Sequence, residues 1–143
     1  MDVALKPFSR RKALLTKNEL SFYEVLRSAM YDYVVFAKVR LADLIDADER
    51  HRKGQTNEIR TKHIDFVICD DDSKPLIAIE VDDKSDERSD RAARDPDVDR
   101  LFQAVGLQLI RVPAQSTYDF EQVRKLVTAG LKPTPVNEAI WRD

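Results

Sequence analysis

Cysteine and histidine are nearly missing from this chain: 143 residues hold one cysteine, Cys69, and two histidines, His51 and His63. One thiol excludes an internal disulfide and any thiolate-cluster zinc site. Two imidazoles leave little for a histidine-rich metal centre. An excess of either charge is missing too, with 24 basic against 26 acidic residues and a formal net charge of -2. That balance argues against a histone-like or polybasic binder, whose affinity comes from a large positive surplus. It leaves room for a nucleic-acid enzyme with a local basic rim and an acidic metal site. No apolar run approaches the roughly 18 residues of a membrane span. The start, Met1 to Arg11, offers only Val3-Ala4-Leu5 as an apolar stretch, too short for a signal-peptide core. These absences together read as a soluble protein of a reducing compartment, most simply the cytoplasm.

What is present suits one domain with one sizeable core: 43% of residues are hydrophobic and 35% are charged. Residues 1–13 read as a basic N-terminal arm carrying Ser9-Arg10-Arg11-Lys12. Residues 14–130 form the domain, with a polar, mobile insertion at 43–62. Residues 131–143 form a tail with Pro133 and Pro135, anchored through Ile140 and Trp141.

A first helix is signalled by Thr16 three residues before Glu19, a capping-box spacing, with Leu15 and Leu20 at the staple positions. Leu20, Phe22, Val25, Leu26, Ala29 and Met30 make its apolar face. Tyr33 to Leu41 is β-branched and aromatic, a strand, followed by a short helical turn near Leu44. His63 to Cys69 reads as a second strand and Leu76 to Asp82 as a third, joined as a hairpin through the Asp-Ser-Pro turn chemistry of residues 70–75. Asp95-Pro96 opens a helix that buries Val98, Leu101, Phe102 and Val105 and stops at Gly106. Leu107 to Val112 is a fourth strand. The last helix opens at Asp119, buries Phe120, Val123, Leu126 and Val127, and stops at Gly130. The order is α-β-β-β-α-β-α, an α/β fold with a four-stranded mixed sheet flanked by helices.

The chemistry lies in acids set among apolar residues. Glu80 and Asp82 project from one side of the third strand, with Leu76 and Ala78, while Ile77, Ile79 and Val81 take the other. Asp65 stands between Ile64 and Phe66 on the preceding strand and approaches Glu80 across the hairpin. Burying one carboxylate costs several kcal/mol unless it is paired or bound to a cation, and neighbouring carboxylates raise one another's pKa. A divalent cation resolves the conflict, and oxygen ligands suit Mg2+ or Mn2+. Such an ion activates water and stabilises charge on a phosphate oxygen, so the spacing points to metal-assisted phosphodiester hydrolysis.

Ordinary readings compete. Glu80 and Asp82 can solvate, or pair with Lys62, Lys84 or Arg88. Spacing alone favours capping for Glu19, a solvent face for Glu24 and a surface role for His63. Cys69 reads as a small buried residue, Tyr118 as a staple, and Arg88, Arg91 and Arg94 as part of a self-neutralised surface.

Leu15-Thr16-Lys17-Asn18-Glu19, His63-Ile64-Asp65-Phe66-Val67, Ile79-Glu80-Val81-Asp82-Asp83, Arg94-Asp95 and Ala104 to Arg111 together resemble an uncharacterised bacterial domain family. That family is assigned to the restriction-endonuclease-like, PD-(D/E)XK, superfamily, near the very-short-patch repair endonucleases. The resemblance spans Leu14 to Val112 and implies a core of α-β-β-β-α-β, here with an added C-terminal helix. It implies that Asp65 and Glu80 are metal ligands, with the carbonyl of Val81 as a further donor. Asp82 falls where classical members carry Lys and this branch an acid, and Glu19 matches a first-helix glutamate that supports the metal. The family's Asp-Asp-Ser-His run is Asp82-Asp83-Lys84-Ser85-Asp86 here, so Lys84 is the cation that stands in. The expectation is a metal-dependent nuclease domain acting on DNA, alone or within a larger system with a protein partner. The rival is a catalytically silent nuclease-like module that binds nucleic acid or a protein.

Overall fold

The computed structural model describes residues 5–47, 57–83 and 96–131. Its elements are α1 (Lys17–Ala29), β1 (Val34–Arg40), α2 (Leu41–Leu44), α3 (Asn57–Thr61), β2 (His63–Cys69), β3 (Pro75–Asp82), α4 (Pro96–Val105), β4 (Gln108–Pro113) and α5 (Phe120–Leu131). The strands form one sheet in the order β1-β2-β3-β4. β1 and β3 run antiparallel to β2, and β4 runs parallel to β3. The sheet is therefore mixed. A parallel neighbour demands a long crossover, and α4 lies on it. Among the described residues no helix is long and apolar enough to cross a membrane.

Alternation along the strands sorts the core into two layers. Phe66, Ile68, Ile77, Ile79, Val81 and Val112 pack against Phe22, Leu26 and Ala29 of α1 and Val123 and Val127 of α5. On the other side Val67, Cys69 and Ala78 pack with Leu41 of α2 and Val98 and Phe102 of α4. The third strand is therefore covered on both faces.

The alternation breaks at one place. Val34 packs in the second layer and Val35 in the first, yet Val39 returns to the second, where strict alternation would put it with Val35. Between them Lys38 has a φ of 55°, a left-handed backbone inside a strand. On β2 the matching step occurs at Ile64, which joins the second layer although Phe66 and Ile68 belong to the first. Val39 and Ile64 are ladder partners, so both strands change phase together beside Lys38 and Asp65.

Local signals account for the element ends. Thr16 and Glu19 make both bonds of the capping box, the Glu19 N–H donating to the Thr16 hydroxyl at 3.1 Å and the Thr16 N–H to Glu19 Oε1 at 2.8 Å. The β2–β3 turn is held by Asp70, whose Oδ1 accepts the N–H groups of Asp72 and Lys74. Gly106 ends α4 with a φ of 70°, and Asp119 caps α5 by accepting the Gln122 N–H at 2.9 Å.

Some expectations are corrected. Leu20, Phe120 and Leu126 are 46%, 42% and 43% exposed rather than buried. Leu20 lies about 200° around α1 from the buried Phe22, on the outward side, whereas Phe120 and Leu126 lie at the edge of the arc set by Val123 and Val127, where an apolar residue need not be covered. Gly130 does not stop α5, which continues to Leu131. Its role is close packing: a Cβ there would sit 2.4 Å from Cδ1 of Ile77 on β3. The helix α3 lies inside the segment read as a polar insertion. Tyr118 exceeds its staple role, since its hydroxyl donates to the Pro113 carbonyl at 2.6 Å and accepts the Gln115 N–H at 2.8 Å.

Candidate acidic site at the end of the sheet

The ladders align one charged residue from each strand. Lys38 stands opposite Asp65, between the pairs Ala37↔Phe66 and Val39↔Ile64. Asp65 is one step beyond the pair Phe66↔Ile79, which brings it alongside Glu80. Glu80 in turn pairs with Arg111 of β4. The row across the sheet is cation, acid, acid, cation.

The two acids at its centre interact directly. Burial first, then a hydrogen bond with and charge repulsion from Asp65, push the Glu80 carboxyl up to about 9, while the Arg111 cation opposes the shift. Asp65 is 9% exposed, and its Oδ2 accepts the backbone N–H of Val81 at 2.8 Å. That bond joins β2 to the peptide between Glu80 and Asp82. Asp82 is buried to the same degree as Asp65, and its carbonyl accepts the Ala114 N–H at 3.0 Å, which fixes the end of β3.

A partly open cleft of about 290 Å³ lies over these residues, lined by Glu19, Asp65, Glu80, Val81 and Asp82 among others. Five expected site residues therefore meet in one depression. Lys84, the cation expected to stand in, lies outside the described residues, as does Arg88. Glu19 does more than cap. Its Oε1 takes the Thr16 N–H, while its Oε2 stands 3.6 Å from the Lys38 ammonium. His63, the first residue of β2, is exposed, in line with the surface role expected of it, and lines the cleft. Burial pushes the Cys69 thiol up, which disfavours a nucleophilic thiolate.

The expected convergence of three acids on one ion is partial. Asp65 and Glu80 are in contact, whereas among the described residues no group of three or more His, Cys, Asp or Glu side chains is spaced to hold a metal ion. The donors that meet are two carboxylates. Mg2+ is often held by one or two carboxylates with water and substrate phosphate completing its shell, so this oxygen pair fits such an ion.

Sequence reasoning missed both cations of the row. Arg111 lines the cleft and pairs with Asp99 of α4 at 3.0 Å. The signal was available in both cases. Arg111 stands inside Leu109-Ile110-Arg111-Val112, and Lys38 inside Val35-Phe36-Ala37-Lys38-Val39, the same anomaly that singled out Asp65.

Residues 11–130 match the family described as a protein of unknown function (DUF2726), and the chain belongs to that family. No curated protein and no solved structure matches the chain.

Proposed function

We propose that this DUF2726 member is a metal-dependent nuclease domain that hydrolyses phosphodiester bonds in DNA. The observation that carries the reading is the contact between buried Asp65 and half-buried Glu80, which line an accessible cleft, with burial and Asp65 pushing the Glu80 carboxyl up. Natural cores avoid such a pair because each acid raises the other's cost of ionisation. The resemblance to PD-(D/E)XK nucleases assigns these same two positions to a metal.

A bound Mg2+ or Mn2+ would supply Lewis-acid activation of water and charge stabilisation at phosphate. Asp65 and Glu80 would hold it, with the Val81 carbonyl as a further oxygen. The chain's own residues set the conditions. The Val81 N–H orients Asp65. A cation held there would favour the ionised form of Glu80. Glu19 and Asp82 bound the cleft and orient water, and Arg111 compensates negative charge beside Glu80. With its single buried thiol, the domain suits a reducing compartment, most simply the cytoplasm, with DNA as its partner.

A second reading is favoured by the lack of a third ligand among the described residues and by Arg111 next to Glu80. In it the cation takes over the ion's electrostatic role, and the domain is a silent nuclease-like module that binds nucleic acid or a protein. Titration with Mg2+ or Mn2+, followed by thermal melting and by nicking of plasmid DNA, separates the two. Ion saturation at 100 times the dissociation constant stabilises a fold by about 2.7 kcal/mol. A raised melting temperature with nicking supports the nuclease. No shift at millimolar levels of either ion removes the metal site.

A further inference from the structure

We propose that Lys38, which stands beside the cleft through its ion pair with the lining residue Glu19, contacts the substrate phosphate, and that its ammonium rests on Glu19 when no nucleic acid is bound. The inference deepens the nuclease reading and adds to it a residue from β1.

The backbone provides the first argument. Lys38 adopts a φ of 55° within a strand whose neighbours on both sides keep ladder partners. Residues with a Cβ rarely adopt this conformation, and it persists where the surroundings impose it, as they do at binding and catalytic sites. Here it coincides with the phase change of β1 and β2 beside the acid pair.

Charge provides the second. Lys38 and Asp65 both fall between the ladder pairs Ala37↔Phe66 and Val39↔Ile64, so a cation flanks the acid pair on the side away from Arg111. Phosphate approaching two carboxylates needs such a counter-charge, and a lysine ammonium serves phosphate as a compact point charge.

Exchangeability is the third. The Lys38 Nζ lies 3.6 Å from Glu19 Oε2, with side-chain exposures of 35% and 13%. That distance is beyond a good hydrogen bond, and an ammonium has three donors. Glu19 keeps its Oε1 on the Thr16 N–H whether or not Lys38 stays. A phosphate oxygen can therefore replace Oε2 without unmaking the helix cap. Arg111 is held more closely, at 3.0 Å from Asp99.

The test uses the full chain with a short fluorescein-labelled DNA duplex, read by anisotropy across a salt series with Ca2+ in place of Mg2+. Plasmid nicking in Mg2+ or Mn2+ is measured alongside. Lys38→Met should weaken duplex binding and lower the salt slope by about 1, the signature of one lost phosphate contact. Lys38→Arg should keep the slope. Lys38→Gly suits the left-handed backbone, so it should show the same binding loss with a melting temperature no lower than wild type. A wild-type salt slope in Lys38→Met overturns the phosphate contact whatever the nicking rate does. If wild type nicks while the variant's slope is unchanged, Lys38 falls and the nuclease reading stands. A wild type that neither binds nor nicks overturns both. Binding without nicking, with the slope lowered in Lys38→Met, keeps the contact and gives the site to the silent module.

Discussion

The Val81 N–H donates to Oδ2 of Asp65 at 2.8 Å, so the acid of β2 and the peptide flanked by Glu80 and Asp82 form one unit. The bond explains how a carboxylate that is 9% exposed is tolerated on β2. A hydrogen bond to a charged acceptor is worth about 1.5–3 kcal/mol, which offsets part of the desolvation. It also fixes the distance over which Asp65 acts on Glu80.

Asp65→Asn and Asp65→Ala should therefore differ. The amide oxygen of Asn can still accept the Val81 N–H while the charge facing Glu80 is gone. Ala leaves that buried N–H without its acceptor, at a cost of about 1–3 kcal/mol. Thermal melts at pH 8 should place Asp65→Asn at or above wild type and Asp65→Ala several degrees below Asp65→Asn. Both should lose metal-dependent nicking. Equal melting of the two variants would mean that the Val81 bond adds nothing.

Glu19 separates capping from site chemistry by atom. Its Oε1 serves the cap and its Oε2 faces Lys38. Glu19→Gln keeps an oxygen for the Thr16 N–H and loses a partly exposed ion pair worth about 0–1 kcal/mol. Melting should stay within a few degrees of wild type while nicking falls. Unchanged nicking would leave Glu19 with the cap alone.

Much of this arrangement was legible in the sequence because the signals were local. The capping box, the Asp119 cap, the Gly106 stop and the strand His63 to Cys69 each depend on residues within a few positions. Asp65 and Glu80 stood out because an acid inside an apolar run is anomalous without any knowledge of the fold. Gly130 misled for a physical reason. Glycine after an amphipathic helix signals a stop, and only the approach of Ile77 from β3 reveals that this glycine serves packing. The row of Lys38, Asp65, Glu80 and Arg111 depends on register across four strands, and register is not carried by any one segment.

That packing role gives a prediction of its own. Gly130→Ala gains about 1 kcal/mol of helix propensity and meets Cδ1 of the fully buried Ile77 at 2.4 Å. Overpacking a core costs about 1–3 kcal/mol, so the net effect should be a lower melting temperature. Ile77→Val removes the colliding methyl and should recover stability in the Gly130→Ala background. The double-mutant cycle should show a favourable coupling. A Gly130→Ala protein that melts higher than wild type would mean that α5 shifts without cost.

Glu80 predicts an unusual dependence of stability on pH. Its folded carboxyl is pushed up to about 9 from the ordinary 4.5, chiefly by burial and by Asp65. Below the unfolded value both states carry the proton and nothing is lost. Between the two values the unfolded chain ionises and the folded chain does not, so rising pH favours unfolding. The limiting slope for one proton is about 1.4 kcal/mol per pH unit. The metal-free protein, kept in chelator, should therefore melt at a falling temperature from pH 5 to pH 8. Glu80→Gln removes the titrating group at nearly constant shape, so its melting temperature should exceed that of wild type at pH 8, and the difference should shrink toward pH 5. Saturating Mg2+ or Mn2+ should flatten the wild-type profile, because a cation then takes the proton's place, and should leave Glu80→Gln little changed. The same substitution should abolish nicking, since an ionised ligand is lost. A Glu80 stabilised instead as a solvated or ion-paired carboxylate requires the opposite sign: Glu80→Gln then melts below wild type at pH 8, and wild type gains stability as the pH rises.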